Sequence, residues 1–310
     1  MKIAVIGTSE FALNCAQILI DNGCTVSALV SLPKSNLPNN SVNIKEFSLL
    51  NNIPYFETSD INLNESISYL EWLKVDFILS TWPHIILKCV IDIPKYGVIG
   101  THPTPLPRNR GRHPLHWMIA LGISNSTMSF FKMEETIDSG NILIQEPFVV
   151  GDNINSSNNN MIEAAKNGLI NLIMVLKENP SYSGTKQEIN VGNIWRKRDI
   201  YDITIDPRMG SSVIIRIVNS FCHPYPLARL YFDKNSYLNI VSVCVINPED
   251  RDENWEDYEH GYILRATKDN IYMRVDNSVV SMIIDSSNVD IECLVRKKIH
   301  PPAYYSELTV

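Results

Sequence analysis

The chain has 310 residues, 45% of them hydrophobic and 20% charged, the balance of a globular protein with one large domain or two ordinary ones. No apolar run approaches the roughly 18 to 20 residues that span a bilayer, and the amino-terminal MKIAVIGTSEF reads as a strand entering a turn, not as a secretory leader. A net charge of −7 argues against a polyanionic partner such as tRNA unless a local basic patch works against that background.

In chain order, KIAVI (2–6) is a short apolar strand and Gly7-Thr8-Ser9 a turn. FALNCAQILIDNG (11–23) spaces its apolar residues as a helix and stops at Asn22-Gly23. The strand TVSALVS (25–31) follows, and the alternation repeats through IPYFET (53–58), a helix near 63–73 and the strand VDFILS (75–80). GVIGT (97–101) is another strand, and LHWMIALG a helix closing at Gly122. TMSFFKM (127–133) and NILIQEPFVV (141–150) are strands, and a helix at about 158–177 ends before Pro180. Strands alternating with helices imply an α/β fold, a Rossmann-like, mostly parallel sheet with helices on both faces.

Beyond residue 180 the chain turns polar and irregular. A helix at VIIRIVNSF (213–221) then leads into short β runs, SYLNIVSVCVI, GYILRATK, NIYMRVD and SVVSMIID. That is the pattern of a small antiparallel β domain, barrel-like in character. The expected division is a first domain over 1–190, a linker over 191–212 and a β-rich domain over 213–310. Six scattered cysteines (Cys15, Cys24, Cys89, Cys222, Cys244, Cys293) form no CxxC pair. Free thiols in a reducing cytoplasm are therefore expected, with no disulfides and no metal site.

The densest chemistry lies in GVIGTHPTPLPRNRGRHPLHW (97–117) and IDSGNIL (137–143). His102 ends a strand, where ligands of α/β sheets bind, and Pro103, Pro105 and Pro107 stiffen the loop beyond it at low entropic cost. A histidine there, with a carboxylate downstream, is a candidate for proton handling. Taken alone, Asp138 reads more readily as turn chemistry, since Asp accepts backbone N–H bonds. Arg108, Arg110 and Arg112 either grip a phosphate or carboxylate or are solvated. His113, His116 and Trp117 open a helix, where they stack a flat ligand or, for Trp117, join the core. GTSEF (7–11) fails the dinucleotide fingerprint and reads as a tight βα turn before it reads as an anion site.

GTSEFA (7–12), GVIGTHPTPLPRNRG (97–111), Pro114 with Trp117, and IDSGNIL (137–143) resemble, in order and spacing, the folate-dependent formyltransferases. The resemblance covers the first ~190 residues well and extends weakly through WRKRDIYDITID (195–206) and IRIVNSFCHPYPLARLYF (215–232). It implies N10-formyltetrahydrofolate as cofactor and a catalytic Asn, His and Asp. The His maps onto His102 and the Asp onto Asp138. The Asn position is Gly100 here, a departure that removes one oxyanion donor, worth on the order of 10²-fold or more. A backbone N–H, a water or another side chain would replace it, with Asn109 and Thr101 the nearby polar candidates. In the chemistry so implied, a substrate amine attacks the formyl carbon, His102 relays the amine proton, and Asp138 orients the imidazole and passes protons on. The resemblance also puts Trp82, His84, Ile85 and Ile86, within STWPHIIL (80–87), at the pterin, with Arg112 and His113 at the cofactor.

RGRHPLHW looks more like the sugar N-formyltransferases than the tRNA enzymes of this family. The tRNA enzymes carry a basic insertion early in the chain, and the equivalent segment here, SLPKSNLPNNSVNIKEF (31–47), holds only Lys34 and Lys45. The expected substrate is thus an amino sugar, nucleotide-linked, for surface glycan synthesis. No nucleic-acid or membrane partner is expected, and a homodimer is compatible with the pattern. The alternatives are a methionyl-tRNA or other aminoacyl formyltransferase and, because of Gly100, a folate-binding protein without transferase activity.

Overall fold

Ile3, Ala4, Val5 and Ile6 are each at most 2% exposed. A strand covered on both faces belongs at the centre of a parallel sheet, and this one does in the computed structural model, which describes residues 1–188, 190–252, 254–285 and 291–303. The elements run β1 (Lys2–Ile6), α1 (Glu10–Asp21), β2 (Thr25–Ser31), α2 (Ile44–Leu50), β3 (Tyr55–Glu57), α3 (Asn64–Leu73), β4 (Phe77–Ser80) and α4 (Lys88–Ile91). They continue with β5 (Val98–His102), β6 (Arg110–Gly111), α5 (Pro114–Leu121), β7 (Asn125–Lys132), β8 (Ile142–Val149), α6 (Ile154–Glu178) and β9 (Ile194–Trp195).

Seven strands form one sheet in the order β3-β2-β1-β4-β5-β7-β8. The first five are mutually parallel, and β7 and β8 add an antiparallel hairpin beside β5. Ala4, Ile6, Val30 and Ile78 pack with Leu70 of α3 and Val90 of α4. Alternation points Ile3 and Val5 to the other face. Helix α6 buries Met161, Ala165, Leu169, Leu172 and Leu176, the spacing of an amphipathic helix laid on a core. The expected α/β architecture is the one observed.

Helix α2 begins within the 31–47 segment, where the sequence reading places no helix. Its signal was local: the Asn43 side chain accepts the Glu46 N–H at 3.2 Å and donates to Glu46 Oε2, an N-terminal cap of the polar-x-x-Glu kind.

The chain forms two compact units. One comprises Met1–Pro114, Asn125–Val150 and Ser157–Arg196; the other comprises Leu115–Ser124, Gly151–Ser156 and Lys197–Val310. The second unit contains α7 (Ser211–Asn219), β10 (Ala228–Asp233), β11 (Ser236–Val245), β12 (Ile263–Thr267), β13 (Asn270–Val275) and β14 (Ser278–Ile284). Its antiparallel sheet runs β10-β11-β14-β13-β12. Ile214, Ile217 and Val218 of α7 pack with Leu238, Ile271, Met273 and Met282. Strands β10 and β12 do not pair with each other among the described residues, so the sheet is open, not a closed barrel. Single bridges cover its edges, Thr204 with Arg229 and Tyr262 with Lys298, which blunts edge-to-edge association.

All six cysteines are free. Cys15 lies on the buried face of α1, and burial alone pushes its thiol pKa up to about 12.

Candidate active site

His102 is the last residue of β5, at the carboxyl end of the sheet, and is 5% exposed. The loop it leads into has three prolines and so few N–H groups of its own. Side chains from β7 and β8 tie down its carbonyls instead. Ser126 Oγ donates to Pro103 O at 2.9 Å and Ser129 Oγ to Thr104 O at 2.6 Å. Gln145 Nε2 donates to Ser129 Oγ at 2.8 Å and to Leu106 O at 3.3 Å. Fully buried Thr104 donates across the loop to Arg108 O at 2.9 Å.

The loop returns to the histidine. His102 Nε2 lies 2.9 Å from Asn109 O. A carbonyl only accepts, so the proton sits on Nε2 and the neutral ring keeps its lone pair on Nδ1. That Nδ1 lies 3.7 Å from Asp138 Oδ2. The distance is too long for a direct hydrogen bond. Asp138 itself is fixed from elsewhere: its Oδ2 accepts the Gly111 N–H at 2.9 Å. Both Asn109 and Asp138 have left-handed backbones, with φ of +60° and +50°, conformations that Asn and Asp tolerate better than other side chains. Gly111 sits on β6, clamped against β9. With φ +106° and an added Cβ only 2.2 Å from Trp195 O, that position requires glycine.

Gly100 faces the same side of β5 as His102, two residues earlier. A Cβ placed there would lie 2.6 Å from Phe131 Cζ and 2.8 Å from Met133 Cγ. Phe131 is 3% exposed, so the space of the missing side chain is filled by an aromatic ring.

The other expected residues divide. Trp82 and Ile86 are core residues under the sheet, while His84 and Ile85 are exposed. Asn62 ties this turn by donating to Ile85 O at 3.0 Å and accepting the Leu87 N–H at 2.8 Å. The Trp82 indole Nε1 is buried without a hydrogen-bond partner. Arg108 and Arg112 are exposed, and His113 is half-buried with φ +55°. Arg110, read from sequence as a solvated or ligand-gripping member of the same basic cluster, is instead 7% exposed and donates from Nη2 to Gln187 Oε1 at 2.8 Å.

His116 does not offer itself to a ligand either. In the second unit it is buried, stacked on Phe221 at 4.3 Å, and holds Ser220 O at 2.6 Å from Nδ1. Trp117 lies under the Arg198 guanidinium, 5.1 Å from its ring centroid. The GTSEF turn is structural in its contacts: Gly7 N–H donates to Val30 O at 3.0 Å and Val42 N–H to Thr8 O at 2.9 Å.

A cavity of about 750 Å³ opens at the other end of β5, lined by Tyr96, Gly97, Lys132 and Glu134 among others. It includes neither His102 nor Asp138. Among the described residues no cluster of His, Cys, Asp and Glu is arranged to hold a metal, and no helix is long and apolar enough to cross a membrane.

A family model described as formyl transferase matches residues 1–173. The chain belongs to the formyltransferase family. That makes it a group transferase, and the family's formyl donor is N10-formyltetrahydrofolate. The formyltransferase is 28% identical over 287 residues to the methionyl-tRNA formyltransferase of Clostridium tetani, covering 90% of each chain. It is 33% identical over 156 residues to the enzyme of the same name from Fusobacterium nucleatum, covering about half of each. In fold it is similar to WlaRD, a sugar 3N-formyl transferase crystallised with dTDP and 5-N-formyl-THF, with TM-score 0.65 and 16% identity over 93% of this chain and 98% of that one. A Helicobacter canadensis N-formyltransferase, in complex with folinic acid and dTDP-3-aminofucose, gives TM-score 0.62 and 14% identity over 92% and 100% of the two chains.

Sequence reasoning missed Gln187, Asn193, Ser129 and Gln145. Asn193 accepts the Asn109 N–H through its side chain at 3.1 Å and the Arg110 N–H through its carbonyl at 3.1 Å. These residues lie 84 and 83 positions apart in the chain, and no local pattern marks them.

Proposed function

We propose that this formyltransferase moves a formyl group from N10-formyltetrahydrofolate to the amine of a nucleotide-linked amino sugar. The observation that carries the reading is the His102–Asp138 pair: a ring whose proton is held on Nε2 by a carbonyl, with its lone pair turned toward a carboxylate. Such a ring accepts a proton at Nδ1, and Asp138 stabilises the imidazolium that results. The amine would lose a proton as its nitrogen takes the formyl carbon, and His102 would accept that proton and give it up to N10 as the bond from the formyl carbon to N10 breaks. Asp138 acts by charge, while the Asn109 carbonyl sets the tautomer and ring orientation.

The residues present fit a folate. Trp82 Nε1 is a buried donor lacking an acceptor, just beyond β4, and a pterin supplies acceptors. Trp82 and the exposed His84–Ile85 turn would hold the pterin. When bound, the folate supplies the formyl carbon. No side chain at Gly100 offers an oxyanion donor, because Phe131 and Met133 occupy that space; backbone N–H groups or water take the role.

Charge supports the sugar. The segment over 31–47 has two lysines and no other basic residue, and the net charge is −7. No basic run exceeds three residues, at 196–198 and 296–298, and the first is partly internal: Arg198 is 5% exposed and donates to His116 O and Asp202 O. Exposed Arg108 and Arg112 flank the segment that touches His102 and suit a diphosphate. A methionyl-tRNA substrate is the second reading, favoured by the 28% identity with the Clostridium tetani enzyme along 90% of both chains.

Purified protein offered formyl-folate and a panel of nucleotide-linked amino sugars is expected to formylate at least one of them. It is expected to bind initiator tRNA weakly and in a salt-sensitive way. Formylation of methionyl-tRNA at enzymatic rates, with none on the sugars, would overturn the sugar reading. Asp138→Asn keeps an oxygen for the Gly111 N–H but removes the charge beside the imidazolium. It is expected to lower kcat about 10- to 100-fold, the worth of an interaction with a charged group, with KM for the folate little changed. Equal kcat in the two proteins would make Asp138 a turn residue only.

A further inference from the structure

A second polar group is buried behind the active-site carboxylate. Gln187 is 4% exposed, 49 residues from Asp138 in the chain. Its Nε2 donates to Asp138 O at 2.9 Å and to Gly140 O at 2.6 Å. Its Oε1 accepts from Arg110 Nη2 at 2.8 Å and Nε at 3.3 Å. Two donors and two lone pairs are thus all in use. The arrangement also sets which way the amide points. A flipped amide would aim N–H groups at a guanidinium and oxygen at carbonyls, so only one orientation is favourable.

We propose that Gln187, braced by Arg110, is the positioning residue for Asp138, an inference that rests on the role of the His102–Asp138 pair given above. The left-handed φ of +50° at Asp138 is a conformation that persists only where the surroundings hold it. Gln187 grips the carbonyls of Asp138 and Gly140 and so holds that turn closed. Residues 110 and 111 then act together. Arg110 orients the glutamine that grips the turn, and the neighbouring Gly111 N–H takes the carboxylate at 2.9 Å. Pairing with β9 fixes both residues. No carboxylate pairs with Arg110 among the described residues, although it is 7% exposed. Apolar side chains could fill such a place at no loss of stability, so the buried guanidinium is better explained by orientation than by stability.

The test uses Gln187→Glu. The carboxylate keeps an acceptor for Arg110 but has no N–H for the two carbonyls. Arg110→Lys is the second variant, keeping the charge and losing the two-pronged contact. Asp138→Ala is the reference. Arg110-Gly111 is the only Arg-Gly step in the chain and no Lys-Gly step occurs in it, so 15N-glycine with carbonyl-13C arginine, or with carbonyl-13C lysine for Arg110→Lys, isolates the Gly111 amide in one resonance. The expected result is that Gln187→Glu and Arg110→Lys both move this resonance and speed its hydrogen exchange toward the Asp138→Ala values. Kcat should fall about 10²-fold, the effect of a misplaced group, while KM for the formyl donor stays near wild type and the thermal midpoint changes little. A Gly111 amide at its wild-type position in both variants overturns the proposal, as does a displaced amide with kcat unchanged. The NMR arm needs no turnover. If wild-type protein formylates no amine, the functional reading fails, while the amide still decides whether Gln187 holds Asp138.

Discussion

His102→Ala is expected to lower formyl transfer by about 10²- to 10⁴-fold, the range of a general acid–base group, in a protein that still folds. The ring is 5% exposed and makes one hydrogen bond, to Asn109 O. Losing that bond costs about 0.5–1.5 kcal/mol, small enough to leave the sheet intact. His102→Gln separates the two roles of the ring, since its amide still has a donor for Asn109 but no basic nitrogen to face Asp138. It should recover stability without recovering rate. Initial rates with whichever amine the wild-type protein formylates, alongside circular dichroism and thermal melts, decide the matter. Retention of more than about half the wild-type rate by His102→Ala would sink the assignment, since so small a loss lies far below what such a group contributes.

Gly100→Asn would restore the side chain that the resemblance leads one to expect, and it is expected to harm the protein. The new Cβ starts 2.6 Å from Phe131 Cζ, and the ring cannot swing clear because it is 3% exposed beside β5. Overpacking of this kind costs about 1–3 kcal/mol. The strain falls on Phe131 and Met133, which lead into the turn carrying Asp138, so kcat should fall with the melting temperature. Protein atoms, Phe131 and Met133, already fill the space beside Gly100. A rise in kcat with an unchanged melt would show that Phe131 yields freely and that the wild-type site lacks a donor that an amide can supply.

Much of the site was legible because its signals are local. His102 ends an apolar strand, three prolines follow it, and an Asp-Ser-Gly turn stands downstream; each is a short-range fact about backbone preference. The role of Arg110 was not legible. Three arginines on one loop look alike in sequence, and only the fold decides that Arg108 and Arg112 meet solvent while Arg110 turns inward to Gln187. His116 and Trp117 were ambiguous for the same reason, since an aromatic stripe serves a core as readily as a ligand.

The sequence by itself determined the α/β order of the first unit and the antiparallel β character of the second, and it marked His102 as a candidate for proton handling. Hydrophobic period and turn chemistry act over a few residues and can be read without coordinates. Tertiary structure alone decided which nitrogen of His102 meets a carbonyl, what holds Asp138, and what fills the space beside Gly100. Those answers depend on Asn109 O, Gly111 N–H, Gln187 and Phe131, which the fold brings to their partners from 7 to 49 residues away. Contacts over such separations arise from packing and backbone satisfaction, and no local propensity encodes them.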